Sequence, residues 1–237
     1  MIDILSPAGR QALSDVARRK PVVALDFDGT LAPIVHNPGD AGMRDTTRGL
    51  LRVLSLLCPC AVISGRARAD VASRLGPASL AVVVGNHGSE MSGAPPPRQL
   101  RARLSTWAAT LRRSFDPADV QVEEKGFTLA VHYRNSSRKE EMRRRIWTVA
   151  QALPGATLRG GHAVVNVAPD GAPTKGDAVE AFASGFEGRP VVFIGDDEVD
   201  EDAFRSPRVT LSIRVRKHPA SGAGCEPRRT SMRFCGS

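Results

Sequence analysis

The sequence predicts an α/β fold: a doubly wound, mostly parallel sheet interrupted by a compact α+β module. Three observations lead there. Short apolar runs end in polar clusters, amphipathic helical patterns lie between the runs, and residues 99–168 follow a periodicity of their own. Short continuous apolar runs are the pattern of strands buried on both faces, as in a parallel sheet.

In chain order, Val22, Val23, Ala24 and Leu25 lead into Asp26-Phe27-Asp28-Gly29-Thr30. The helical pattern that follows puts Leu50, Val53, Leu54 and Leu57 on one face, expected to pack on the sheet. A second run, residues 61–63, ends in Ser64-Gly65-Arg66, and Val71 and Leu75 share the next helix face. The third, residues 81–84, ends in Gly85-Asn86-His87-Gly88. A Gly- and Pro-rich loop at residues 92–98 then reads as a domain boundary. Beyond it, Leu100, Leu104, Trp107, Ala108, Leu111 and Phe115 form one helical stripe. Strand candidates at 120–123 and 127–133 turn at Lys125-Gly126. A second helix carries Met142, Ile146, Val149, Ala150 and Leu153, and strand candidates at 157–159 and 162–167 turn at Gly160-Gly161. The last run, residues 191–194, ends in Gly195-Asp196-Asp197. The expected organisation is a core of residues 1–98 and 169–215, an α+β cap of 99–168, and a tail of 216–237.

Charge narrows the partners. The 237 residues carry a formal net charge of +8, which by itself suggests a nucleic acid or a membrane surface. Residues 205–237 hold +7 of it, however, and residues 1–204 only +1. No nucleic-acid partner is therefore expected of the body, and no apolar run approaches the roughly 18 residues of a membrane span. The start of the chain lacks the basic and apolar regions of a secretory signal. Cys58, Cys60, Cys225 and Cys235 make neither a C-x-x-C pair nor a disulfide framework, which fits a reducing cytoplasm. Residues 216–237 are rich in Arg, Ser, Gly and Pro without an apolar helical stripe. They are expected to be an atypical basic tail, disordered or displaced from the native frame by a frameshift.

The polar clusters carry the chemistry. Asp26 and Asp28 at a strand end suit a carboxylate that attacks phosphorus and a neighbour acting as general acid and then base. Gly195-Asp196-Asp197-x-x-Asp200-Glu201 is a second acidic cluster. Gathering Asp26, Asp28, Asp196, Asp197 and Asp200 demands a cation, and a hard divalent ion such as Mg²⁺ suits oxygen donors. Ser64 and Lys175, each where a strand or loop meets a helix, suit a phosphate cradle. The same residues also suit helix caps and solvated loops. Their shared position at the carboxyl ends of strands, where such sheets bind ligands, is what singles them out.

Together and in this order, D-x-D-G-T, Ser64, Lys175 and G-D-D-x-x-D resemble the haloacid dehalogenase superfamily of phosphatases. The resemblance implies a phosphoaspartyl mechanism with Asp26 as nucleophile and Asp28 as acid and base. It implies Mg²⁺ held by Asp26, the Asp28 backbone carbonyl and Asp196, with Asp197 and Asp200 supporting. A closer resemblance is to the trehalose-6-phosphate phosphatase family, carried by residues 26–34, 63–66, 85–88 and 195–204 and by the cap segments 124–127 and 132–135. It implies a sugar-facing site drawn from Arg66, Asn86, His87, Lys125, Arg134 and Asn166. It also implies a small-molecule sugar phosphate as substrate, trehalose 6-phosphate hydrolysed to trehalose and phosphate, and functional coupling to a trehalose-phosphate synthase. Where that family usually has Lys-x-x-x-Glu-x-Arg-Pro, this chain has Asn166 and Ala168 at the Glu and Arg positions before Pro169. Another sugar phosphate as substrate, or an inactive regulatory domain, is the alternative that this departure and the tail leave open.

Overall fold

A computed structural model describes residues 2–35, 37–161, 163–196, 198–216 and 229–234. The chain forms two compact units. One comprises Met1–Met91, Thr174–Asp196 and Asp200–Ser237, the other Ser92–Pro173 with Asp197–Val199.

The first unit is built on a sheet. Strand β1 (Ile2–Asp3) leads to helix α1 (Pro7–Arg18), where Pro7 and the Ser6 hydroxyl, accepting from Gly9 N at 3.1 Å, open the helix. Then come β2 (Val22–Leu25), α2 (Asp45–Leu57), β3 (Cys60–Ile63), α3 (Arg68–Leu75) and β4 (Val82–Val84). The second unit contributes α4 (Arg98–Ser114), β5 (Gln121–Glu124), β6 (Leu129–His132), α5 (Lys139–Gln151), β7 (Ala156–Gly161) and β8 (Val164–Pro169). The chain returns through α6 (Lys175–Ser184), β9 (Val191–Gly195), α7 (Glu201–Phe204), β10 (Val209–Arg216) and β11 (Arg229–Phe234).

The large sheet has the order β1-β11-β10-β9-β2-β3-β4. From β10 to β4 every neighbouring pair is parallel, and β11 lies antiparallel between β10 and β1. Alternate residues of β2 and β3 enter two separate cores, because successive side chains of a strand point to opposite faces. Val23, Leu25, Cys60 and Val62 pack with Val16, Leu51 and Val71 on one side. Val22, Ala24, Ala61 and Ile63 pack with Val179, Phe182 and Ala203 on the other. The sheet is thus covered by helices on both faces, as the apolar runs predict. The chain leaves β2 toward β3 and β4, then comes back to β9 on β2's other side. That reversal opens a crevice between the carboxyl ends of β2 and β9.

One helix face differs from expectation. On α2 it is Leu51 that is buried, at 2% exposure, with Leu54 packed beside it, whereas Leu50, Val53 and Leu57 are 72%, 55% and 77% exposed. Leu51, Leu54 and Cys58 form a second apolar stripe one residue out of step with Leu50, Val53 and Leu57, so periodicity permits either register. Docking on the sheet selects the former. Leu51→Ala is expected to cost about 2–5 kcal/mol, and Leu57→Ala to stay within about 0.5 kcal/mol, in denaturant midpoints.

The second unit is a four-stranded antiparallel sheet in the order β5-β6-β8-β7. Leu104, Trp107 and Leu111 of α4 and Met142 and Ile146 of α5 cover one face, meeting Leu129, Val131, Val165 and Val167. The strand alternation puts Asn166 and Ala168 on the opposite face. In the first unit Cys60 is fully buried and Cys58 partly so. Of the predicted tail, residues 217–228 and 235–237, with Cys225 and Cys235, lie outside the described residues. Residues 229–234 pair along β10, from Leu211 opposite Phe234 to Arg216 opposite Arg229. No helix among the described residues is long and apolar enough to cross a membrane.

Candidate active site

Asp26 is the first residue beyond β2, and its N–H donates to Ile194 O of β9 at 2.8 Å. Asp196 follows β9 directly. The two carboxylates therefore flank the reversal of strand order. Lys175 opens α6, positioned by a capping box in which Thr174 Oγ1 accepts from Asp177 N at 3.2 Å and Asp177 accepts from Thr174 N at 2.7 Å. A lysine in the first turn opposes the helix dipole, so its place there needs compensation from elsewhere.

Two buried carboxylates supply it. Lys175 Nζ donates to Asp26 Oδ1 and to Asp200 Oδ1, each at 2.6 Å. Lys175, Asp26 and Asp200 are 2%, 4% and 0% exposed. Asp200 also accepts from Asp196 N at 2.8 Å, and so ties the lysine to the end of β9. Burial works against the lysine's charge, but Asp200 and Asp26 outweigh it and hold the ammonium well above its ordinary pKa. Burial pushes the Asp26 carboxyl well up, against the pull of Lys175, and the charges of Asp200 and Asp196 push the same way.

Oxygens of Asp26, Asp196 and Asp200 all lie within 4.8 Å of one another. Three carboxylates with one ammonium leave an excess of negative charge, and the donors are all oxygen, which fits a hard divalent cation. Gly29, at φ +86°, makes room for this: a Cβ there would lie 1.8 Å from Asp196 Oδ2. Gly195 does the same for Asp200, whose Oδ2 would be 2.4 Å from a Cβ.

A second network adjoins in the same unit. Ser64, directly after β3, is fully buried, and its Oγ accepts from Arg66 N at 3.1 Å. Arg66 holds the Asp28 carboxylate in a fork, Nε to Oδ2 and Nη2 to Oδ1, both at 2.7 Å. Its Nη1 donates to Asp70 Oδ2 at 2.8 Å. Burial works against the charge of Arg66, yet Asp28 and Asp70 outweigh it and raise the guanidinium pKa. Asn86 and His87 adopt left-handed φ values of 51° and 57° in a turn pinned to this network. Asn86 N donates to Arg66 O at 2.7 Å and His87 N to Ser64 O at 2.9 Å. Asn86 Nδ2 donates to Glu90 Oε2 at 2.8 Å, which also accepts from Arg68 N at 2.7 Å. The His87 ring lies against Gly65, where a Cβ would stand 2.4 Å from it.

The structure thus gathers Asp26, Lys175, Asp196 and Asp200, and beside them in sequence links Ser64, Arg66, Asp28, Asn86 and His87. Lys125, Arg134 and Asn166 belong to the other unit. There Lys125 Nζ donates to Asn166 Oδ1 at 3.5 Å, Asn166 being 5% exposed on β8, and Arg134 lies just past β6. Asp197 and His162 lie outside the described residues. Sequence reasoning missed Asp70, Glu90 and the role of Gly29. Asp70 was open to discovery as the acidic residue four before Arg74 on α3, a spacing that brings side chains together on a helix. The others act through the folded backbone.

A doubly wound sheet with an inserted α+β unit and acidic groups at the strand reversal is the architecture of capped haloacid dehalogenase proteins. The C-terminal domain of a C. albicans trehalose-6-phosphate phosphatase shares this fold, with a TM-score of 0.69 at 21% identity over 83% of this chain and 77% of that one. The trehalose-phosphatase family model matches residues 24–232, and the chain belongs to that family. A Mycobacterium tuberculosis trehalose-phosphate phosphatase is 35% identical over 220 residues, covering 84% of this chain and 55% of the relative. An uncharacterized glycosyl hydrolase from the same organism is 36% identical over 236 residues, covering 90% of this chain and 18% of the relative. The chain therefore spans about half the length of the former and under a fifth of the latter.

Proposed function

We propose that this protein is a Mg²⁺-dependent phosphomonoester hydrolase that converts trehalose 6-phosphate to trehalose and phosphate through a phosphoaspartate on Asp26. The observation that carries this reading is the buried Asp26–Lys175–Asp200 arrangement beside Asp196, in a member of the trehalose-phosphatase family. Asp26, the Asp28 backbone carbonyl and Asp196 would hold the ion, supported by Asp197 and Asp200. Bound there, it would neutralise charge between the nucleophile and the anionic phosphate.

The chain's own groups do the rest. An Asp26 carboxylate oxygen bonds to phosphorus as the bond from phosphorus to the sugar oxygen breaks, and Asp28 gives that oxygen a proton. Asp28 then takes a proton from water, whose oxygen attacks phosphorus. The bond to Asp26 breaks, the carboxylate is restored and phosphate leaves. Lys175 has three N–H donors, of which two hold Asp26 and Asp200; the third suits a phosphoryl oxygen. The Ser64 hydroxyl suits another.

By family resemblance Asn86, His87, Lys125, Arg134 and Asn166 are the candidates for recognising the sugar; Arg66, which the resemblance also points to, has its guanidinium engaged by Asp28 and Asp70. A related substrate, another sugar phosphate, is the second reading. It is favoured by Asn166 and Ala168 on the β8 face opposite the helices, since an amide and a methyl group bind hydroxyls less strongly than a carboxylate and a guanidinium. A cytoplasmic setting and coupling to a trehalose-phosphate synthase belong to the proposal too.

Phosphate release from trehalose 6-phosphate and a panel of sugar phosphates tests all of this. Release is expected to need Mg²⁺, to stop with a chelator, and to fall at least about 10³-fold in Asp26→Asn, the scale of removing a nucleophile. Turnover that survives Asp26→Asn would sink the mechanism, and preference for another sugar would sink the substrate.

A further inference from the structure

Family resemblance places Arg66 on the sugar, but all three of its guanidinium nitrogens donate within the protein. Nε and Nη2 clasp Asp28, Nη1 holds Asp70, and Nη2 also reaches Pro38 O at 3.0 Å. The Arg66 side chain is 13% exposed, whereas Asp28 is 39% exposed and accessible to a ligand. Among the described residues, Arg66 is the only partner of the Asp28 carboxylate.

We propose that Arg66 is a positioning residue for the acid–base step, a clamp that fixes the plane and direction of the Asp28 carboxylate. The inference rests on the phosphoaspartate reading above. A parallel pair of N–H···O bonds fixes a carboxylate plane in a way one bond does not. Each Asp28 oxygen keeps a second lone pair, so the clamp leaves a place for the proton that the acid must carry.

The clamp is itself braced. Asp70 stands four residues along and is gripped by Arg74, Nε at 2.9 Å and Nη2 at 2.8 Å. Arg74 Nη1 in turn donates to Gly39 O at 2.9 Å and Ala41 O at 2.5 Å. The Arg66 guanidinium lies 5.6 Å from the centre of the Phe27 ring, next in the chain to Asp28. Helix α3, through Asp70, and the loop at 38–41, through Pro38, thus converge on the guanidinium that clasps Asp28. A general acid must sit within hydrogen-bond reach of the leaving oxygen, and Asp28, on a loop beyond β2, has this network to hold it there.

Single turnovers with enzyme in excess separate this role from its rivals. A sugar alkoxide needs a proton to leave and p-nitrophenolate does not, so only the first depends on a well-placed Asp28. Arg66→Gln is expected to slow trehalose release from trehalose 6-phosphate about 10²-fold while keeping p-nitrophenolate release from p-nitrophenyl phosphate within about threefold of wild type. Arg66→Lys keeps the charge but not the fork, and is expected to behave more like the Gln variant than like wild type. Should Arg66→Gln fail to unfold cooperatively, Asp70→Asn takes its place, loosening the brace with the same selective loss, about tenfold. Equal loss with both substrates would overturn the proposal in favour of a structural or phosphate-binding role. A raised half-saturating enzyme concentration for the sugar phosphate at an unchanged maximal single-turnover rate would overturn it in favour of sugar contact. Release of either leaving group by Asp26→Asn would instead overturn the phosphoaspartate reading, and this inference with it.

Discussion

Lys175→Met is expected to cost about 3–5 kcal/mol of stability and to abolish turnover, because it strips the counter-charge from two buried carboxylates. Asp26 and Asp200 are 4% and 0% exposed, and each lies 2.6 Å from the ammonium. A methionine side chain fills the space but leaves both negative charges without their cation. For a chain of this size the loss corresponds to a fall of about 6–20 °C in the thermal midpoint. Its pH dependence has a definite sign. Burial already pushes the Asp26 carboxyl up in the native protein, and removing Lys175 takes away the group that pulls it down. A carboxyl with a raised folded-state pKa destabilises the fold when ionised and ceases to do so once protonated. The gap between variant and wild type should therefore narrow from about pH 7.5 to about pH 5. Thermal unfolding of both proteins at the two pH values checks this; equal midpoints near pH 7.5 would contradict the buried arrangement.

Gly29→Ala is expected to strike the same site through its backbone. The added Cβ would lie 1.8 Å from Asp196 Oδ2 and 2.2 Å from its Cγ. Asp196 cannot retreat as a unit, because its N–H is held by Asp200 at 2.8 Å directly after β9. The carboxylate alone must turn away, out of the cluster with Asp26 and Asp200. The Mg²⁺ concentration for half-maximal activity is expected to rise about 10–100-fold. The left-handed φ of +86° adds about 1–2 kcal/mol of strain for any residue with a Cβ. Gly171→Ala is the matched control. Its φ is +72° but nothing lies within 4 Å of a Cβ, so it should show comparable strain and unaltered Mg²⁺ dependence.

Much of this site was legible in the sequence. Apolar runs ending in Asp26, Ser64 and Asp196 announced parallel strands with polar carboxyl ends, because a strand buried on both faces has no polar positions until it stops. The helix stripes of the second unit were equally plain, with Leu104, Trp107 and Leu111 buried where their spacing predicts. Helix α2 was not, since two apolar stripes compete in one helix and only contact with the sheet distinguishes them. The function of Arg66 was hidden for a different reason. Asp28 lies 38 residues away in the chain, and nothing local announces that a strand-end arginine faces back toward the preceding strand's loop.

The sequence by itself determined the parallel strands around Asp26, Ser64 and Asp196, the helices and strands of the inserted unit, the kinds of chemical group at each strand end and the family to which they point. It determined, too, that +7 of the +8 charge lies in residues 205–237. Which groups meet was decided by tertiary structure alone. Asp26 and Lys175 are 149 residues apart, and they touch because the sheet order places β2 beside β9 and the capping box starts α6 at that edge. Pairing energies depend on distance and burial, and both come from the order of the strands.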